Sequence, residues 1–147
     1  MLHDIRRGVP FDIALQRALT GLSEADAALA HEIAAGVLRH RSLLDLALAP
    51  HLATGTGGVR EDILDILRVG AYQLHYLERV PRHAAVDTAV TLGRRIAGAR
   101  VGGFINAVLR KIGSGPPGPL PDAATGSGTD LAVRYSHPEW LVDRWLA

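Results

Sequence analysis

The chain contains no cysteine. That excludes disulfides, thiolate metal sites and cysteine nucleophiles within these 147 residues. Aromatic residues make up only 5 % and lysine occurs once, at Lys111, so positive charge is carried almost wholly by arginine. No run approaches the roughly 18 apolar residues of a membrane span. The opening Met1-Leu2-His3-Asp4 lacks the basic-then-apolar order of a signal peptide, so a cytoplasmic protein is the expectation. Several chemical signatures are also missing. No Walker loop is present, no serine sits in a nucleophile elbow, and none of the seven histidines has a ligand-spaced partner with a supporting carboxylate.

What is present is alanine, leucine and apolar periodicity. Apolar residues reach 48 %, enough for a core, and few are β-branched or aromatic, so helices are favoured over strands. A chain of this length buries about 68–70 % of its unfolded surface. The expected fold class is therefore all-α. Residues 2–7 read as the tail of a helix whose start is absent, since no cap precedes Leu2; a chain trimmed at its beginning is the expectation. A helix should follow over Phe11–Leu19. Ser23 should cap another running to about Arg41, with Leu29, Ile33, Gly36 and Val37 inward and Gly36 marking a close helix crossing. Leu43–Leu48 continue as a buried segment ending near Pro50, and Thr54–Gly58 form a loop.

The clearest pattern spans about 60–78. Ile63, Leu67, Gly70, Leu74 and Leu77 recur on one side; Glu61, Asp65, Arg68, Tyr72, His75 and Arg79 recur on the other. Asp62 and Asp65 read as solvated face rather than as an acid/base pair. A helix over 83–97 should bury Val86, Ala89, Val90, Gly93 and Ile96. Gly98–Gly103 reads as a glycine-rich loop carrying Arg100; without a preceding strand it is no dinucleotide fingerprint. Phe104–Ile112 should be helical, with Phe104 and Ile105 inward. Residues 114–128, rich in glycine, proline and serine, read as a linker. Short helices are expected at Leu131–Tyr135 and Pro138–Leu146, the second with an apolar face of Trp140, Leu141, Trp145 and Leu146 that calls for a partner surface.

The net charge of the whole chain is +1, but segment 82–113 sets Arg82, Arg94, Arg95, Arg100, Arg110 and Lys111 against Asp87 alone. Such a stretch is either a solvated surface or a phosphate-binding face. Arg94, Arg95 and Arg100 should form one phosphate cluster. If the two helices are antiparallel, Arg110 and Lys111 fall at the opposite pole.

Three stretches carry a family resemblance. They are Glu32-Ile-Ala-Ala-Gly-Val-Leu-Arg-His40, then Ile66-Leu-Arg-Val-Gly-Ala-Tyr-Gln-Leu74 leading into Val80-Pro-Arg-His-Ala-Ala-Val-Asp-Thr-Ala-Val90, and Gly103-Phe-Ile-Asn-Ala-Val-Leu-Arg-Lys-Ile112. Over about residues 3–113 the chain resembles the NusB family, an all-helical RNA-binding fold found alone as a transcription antitermination factor and also at the N-terminus of rRNA cytosine-C5 methyltransferases of the RsmB type. The motif Asn106-Ala-Val-Leu-Arg110 and the segment Arg134-Tyr-Ser-His-Pro-Glu-Trp-Leu-Val-Asp-Arg-Trp145 resemble the methyltransferase branch. That resemblance implies a NusB-like bundle over 1–113, a linker over 114–128, and a segment over 129–147 leading into a methyltransferase domain outside this chain. It further implies 16S rRNA as partner, and S-adenosylmethionine as cofactor of the longer parent but none here. A basic start to the first helix, of which Arg6 and Arg7 remain, would add to RNA contact. No methyl transfer is expected from this chain alone, since that chemistry needs a thiolate. Two other readings stand beside this one: an antitermination factor acting with ribosomal protein S10, and a docking module that touches no RNA.

Overall fold

The computed structural model describes residues 1–113 and 126–147; most of the expected linker, 114–125, lies outside the described residues. Among those described there are helices and turns and no strand. The expected all-α class holds. The helices are α1 (Leu2–Arg6), α2 (Phe11–Leu19), α3 (Glu24–Arg39), α4 (Arg41–Leu48), α5 (Glu61–Tyr76), α6 (Arg82–Ala97), α7 (Ala99–Lys111), α8 (Gly128–Tyr135) and α9 (Glu139–Leu146).

Local chemistry sets several of these boundaries. Ser23 caps α3, its Oγ accepting from the Asp26 N–H at 3.1 Å. The helix ends at Arg39 rather than Arg41, because His40 leaves helical geometry (φ −107°, ψ 18°) before α4 begins. Proline at position 81 stands immediately before α6, where no intrahelical N–H is needed. Ser127 and Asp130 cap α8 reciprocally: the Ser127 Oγ accepts from the Asp130 N–H at 3.2 Å, and the Ser127 N–H donates to Asp130 Oδ2 at 2.9 Å.

Helix α5 is the central element. Its apolar side supplies Ile63, Leu64, Ile66, Leu67, Ala71 and Leu74 to one continuous core, joined by Val37 of α3, Leu44 and Leu48 of α4, Val86 and Val90 of α6, and Ile105 and Leu109 of α7. Three glycines let helices approach closely. A Cβ at Gly36 would fall within the ring of Tyr72, so the expected close crossing is that of α3 over α5. One at Gly70 would lie 2.6 Å from Leu109 Cδ1, and one at Gly93 would meet the Ile105 side chain.

Three expectations fail. Residues 99–103 are not a loop: Gly98 alone breaks the chain, at φ 85°, and α7 starts at the next residue. The glycines there serve packing. Gly102 lies beneath Arg94, whose Nε would stand 2.9 Å from a Cβ at that position. Ile96 and Phe104 are 47 % and 37 % exposed instead of buried, because α6 and α7 face each other through Gly93, Gly102 and Ile105. The solvated face expected of Asp62 and Asp65 holds only for Asp62, whose side chain is 40 % exposed; that of Asp65 is 15 % exposed and pairs with Arg6 and Arg68. Arg68 is 3 % exposed and Tyr72 is buried, because α3 and α4 cover them.

In the C-terminal part, α8 abuts α4 and packs on α9, with Ala132 and Val142 buried. The His137 ring meets Trp145 edge-on at 5.5 Å. Trp140 and Trp145 nevertheless stay 65 % exposed.

Candidate nucleic-acid interface

The basic side chains divide by what they touch. Arg68 is sunk in the bundle and held by three carboxylates. Its Nε and Nη2 donate to Asp45 Oδ1 and Oδ2 at 2.7 and 2.9 Å, and its Nη1 donates to Asp65 Oδ1 at 3.1 Å and Glu61 Oε2 at 3.3 Å. Burial works against this charge; the Asp45 bonds and charge, then Asp65 and Glu61, outweigh it and hold the guanidinium above its ordinary value. Arg6 pairs with Asp65 and lies 3.5 Å from Glu61, so α1 is pinned to α5 through it. Arg60 pairs with Asp62, and Arg79 with Glu32. Arg82 Nη2 donates to the Ile112 carbonyl at 2.9 Å and closes the C-terminal end of α7.

The remaining members of the basic segment are different. Arg94, Arg95, Arg100, Arg110 and Lys111 are exposed, and among the described residues none has an acidic partner. Helices α6 and α7 form an antiparallel hairpin, since Arg82 meets Ile112 at one end and Arg94 lies on Gly102 at the other. Arg94 and Arg95 occupy the last turn of α6, and Arg100 the first turn of α7, one glycine apart. All three residues therefore lie at the hairpin tip, while Arg110 and Lys111 sit in the last turn of α7 at the other pole. A helix of 16 residues such as α6 separates the poles by about 24 Å.

Of the two arginines expected near the start, Arg6 is committed to Asp65 and Glu61, and Arg7 is exposed without an ion pair among the described residues. Sequence reasoning passed over the ionic cluster around Arg68. The signal available was Arg41 and Asp45 one turn apart on α4, opposite Asp65 and Arg68 on α5. Among the described residues no group of three His, Asp or Glu could hold a metal ion, and no helix is long and apolar enough to cross a membrane.

These features define a helical bundle with a basic hairpin tip, and comparison with known proteins gives it a family. The NusB family model matches residues 6–114. The chain belongs to the NusB family. It is 34 % identical over 124 residues to "Probable ribosomal RNA small subunit methyltransferase B" of Bacillus subtilis (strain 168), covering 84 % of this chain and 27 % of that protein. "Ribosomal RNA small subunit methyltransferase B" of Sodalis glossinidius (strain morsitans) is 35 % identical over 126 residues, 86 % of this chain and 28 % of the relative. The Synechocystis sp. (strain PCC 6803) "Probable ribosomal RNA small subunit methyltransferase B" is 30 % identical over 97 % of this chain and 32 % of its own length. That last alignment leaves out only a few residues, so it takes in α8 and most of α9. The chain thus spans between a quarter and a third of the relatives it matches.

Proposed function

We propose that the chain binds RNA as the rRNA-recognition module of an S-adenosylmethionine-dependent 16S rRNA cytosine-C5 methyltransferase. The observation that carries this reading is the hairpin tip, where Arg94, Arg95 and Arg100 lie within one short stretch of chain and have no acidic partners among the described residues. Arginine suits the task, because its planar fork can engage two phosphate oxygens at once. Family membership supports the reading, as do relatives whose names specify small-subunit rRNA. Those names also favour it over a transcription factor acting with ribosomal protein S10.

The division of labour follows from composition. Attack on cytosine C6 by a thiolate is not available to these residues, which include no cysteine. The chain's part is to bind and orient RNA; S-adenosylmethionine and the nucleophile belong to the remainder of the parent protein. Titration of a labelled small-subunit rRNA fragment into the chain at two salt concentrations tests the reading. Affinity falling steeply with salt supports it, since each neutralised phosphate releases counterions. Absence of binding at low salt contradicts it.

A further inference from the structure

The chain has few aromatic residues, yet three rings gather at one place. His40, at the junction of α3 and α4, stacks on Tyr76 with centroids 4.6 Å apart and planes 16° from parallel. Tyr76 stacks on Tyr72 at 5.1 Å and 25°, and His40 lies 6.2 Å from Tyr72 at 21°. Gly36 makes the arrangement possible, because only a residue without Cβ leaves room for the Tyr72 ring. Tyr72 is buried and anchors the stack; His40 and Tyr76 are half-buried and form its outer part.

Two arginines and one carboxylate lie beside these rings. Arg39 is exposed beside His40, with no ion pair among the described residues. Arg79 reaches across to Glu32 and is itself largely exposed. Both arginines, and Glu32, are close enough to act electrostatically on the Tyr72 hydroxyl. Tyr76 ends α5, and a short turn leads from it to Arg82, which bonds the carbonyl of Ile112 beside Arg110 and Lys111. The stack therefore lies toward the pole of the bundle that carries the second basic group, away from the hairpin tip. Partly open parallel rings flanked by arginines are the combination that receives single-stranded nucleic acid, because every base offers a π-face and arginine holds the adjoining phosphates.

We propose that the stack of His40, Tyr76 and Tyr72, flanked by Arg39 and Arg79, receives an unpaired nucleobase of RNA. This rests on the RNA-binding reading and adds to it a preference: the tip engages backbone phosphate of either form, and the ring stack selects single strand.

The test uses a short single-stranded RNA carrying 2-aminopurine, an adenine analogue whose fluorescence is quenched by stacking, and the same RNA annealed to its complement. The intact chain should quench the single strand. Tyr76→Leu and His40→Leu should each abolish the quench and weaken single-strand binding by about tenfold, as expected for loss of one stacked base. Duplex binding and the salt dependence should be unchanged, because no phosphate contact is removed. Tyr76→Phe, which keeps the ring, should behave as the parent chain, with circular dichroism confirming that each variant is folded. If folded Tyr76→Leu and His40→Leu bind and quench as the parent does, or if the parent binds single strand without quenching, the stacking site is wrong and the hairpin tip stands. If the parent binds neither RNA, the RNA-binding reading fails and this inference with it.

Discussion

Arg68 and Asp45 face each other as two forks, with two parallel hydrogen bonds of 2.7 and 2.9 Å tying α5 to α4 where the arginine is almost wholly out of water. Removing Asp45 leaves the Nε and Nη2 donors of the buried guanidinium without partners, although Asp65 and Glu61 still hold Nη1. Asp45→Ala should therefore cost about 3 kcal/mol in urea unfolding. Arg68→Met should cost less, because the Asp45 and Glu61 carboxylates that it frees can reach water and the thioether stem fills part of the space. A smaller loss for Asp45→Ala than for Arg68→Met would contradict this ordering.

Gly36 and Tyr72 give a second prediction. Alanine would ordinarily improve a mid-helix glycine by up to about 1 kcal/mol. Here its Cβ would overlap the Tyr72 ring. Gly36→Ala should be net destabilising by about 1–3 kcal/mol, the range for overpacking. Pairing it with Tyr72→Leu should recover part of that loss, which a double-mutant cycle in urea measures. Strict additivity would show that the close crossing is not the cause.

His40 predicts the direction of a pH effect. Burial first, and Arg39 second, hold its imidazole below the ordinary value of 6.5. Above that value the ring is neutral in both folded and unfolded chains, and its contribution to stability is fully present. As pH falls through 6.5 the unfolded chain takes up the proton first, so stability is lost until the folded-state pKa is passed. Unfolding midpoints should drop between pH 7 and pH 5, and His40→Gln should flatten that slope. A slope unaltered by the substitution would contradict the assignment.

The two tryptophans of the chain both lie on α9 and are largely exposed. Intrinsic fluorescence should therefore be quenched readily by acrylamide in the native state. Changing both to serine should move stability by no more than about 0.5 kcal/mol, as for other surface sites. Protection from acrylamide would mean that α9 packs on the bundle.

The periodicity of α5 and the cap of α3 are written plainly in the sequence, because burial of one helix face imposes a 3.6-residue repeat and Ser23 needs only local geometry to act. The start of α7 is not. Gly98, Gly102 and Gly103 together read as a flexible connection, yet only Gly98 adopts positive φ, and Gly102 is there because Arg94 lies across it. Local propensity cannot distinguish a glycine that bends the chain from one that admits a neighbour. Polar burial is hidden for a related reason. Asp65 and Arg68 share the polar stripe of α5 with exposed residues, and only tertiary contact with Arg6 and Asp45 takes them out of water. That Arg94, Arg95 and Arg100 fall at one end of the α6–α7 hairpin was legible from chain order alone. The ring stack was not, since His40 and Tyr76 are separated by 36 positions and meet only because α3 crosses α5 at Gly36.

The most direct test of the RNA-binding account is the salt dependence of binding to a small-subunit rRNA fragment by the chain and by a variant with Arg94, Arg95 and Arg100 all changed to glutamate. These side chains carry no ion pair among the described residues, so helical circular dichroism should be retained. The account predicts that the variant no longer binds measurably at low salt. A milder variant with the three changed to glutamine should bind weakly, with a log–log salt slope shallower by about two to three, the number of phosphate contacts removed. Equal affinity and equal slope for the folded triple-glutamate variant and the parent chain would contradict it.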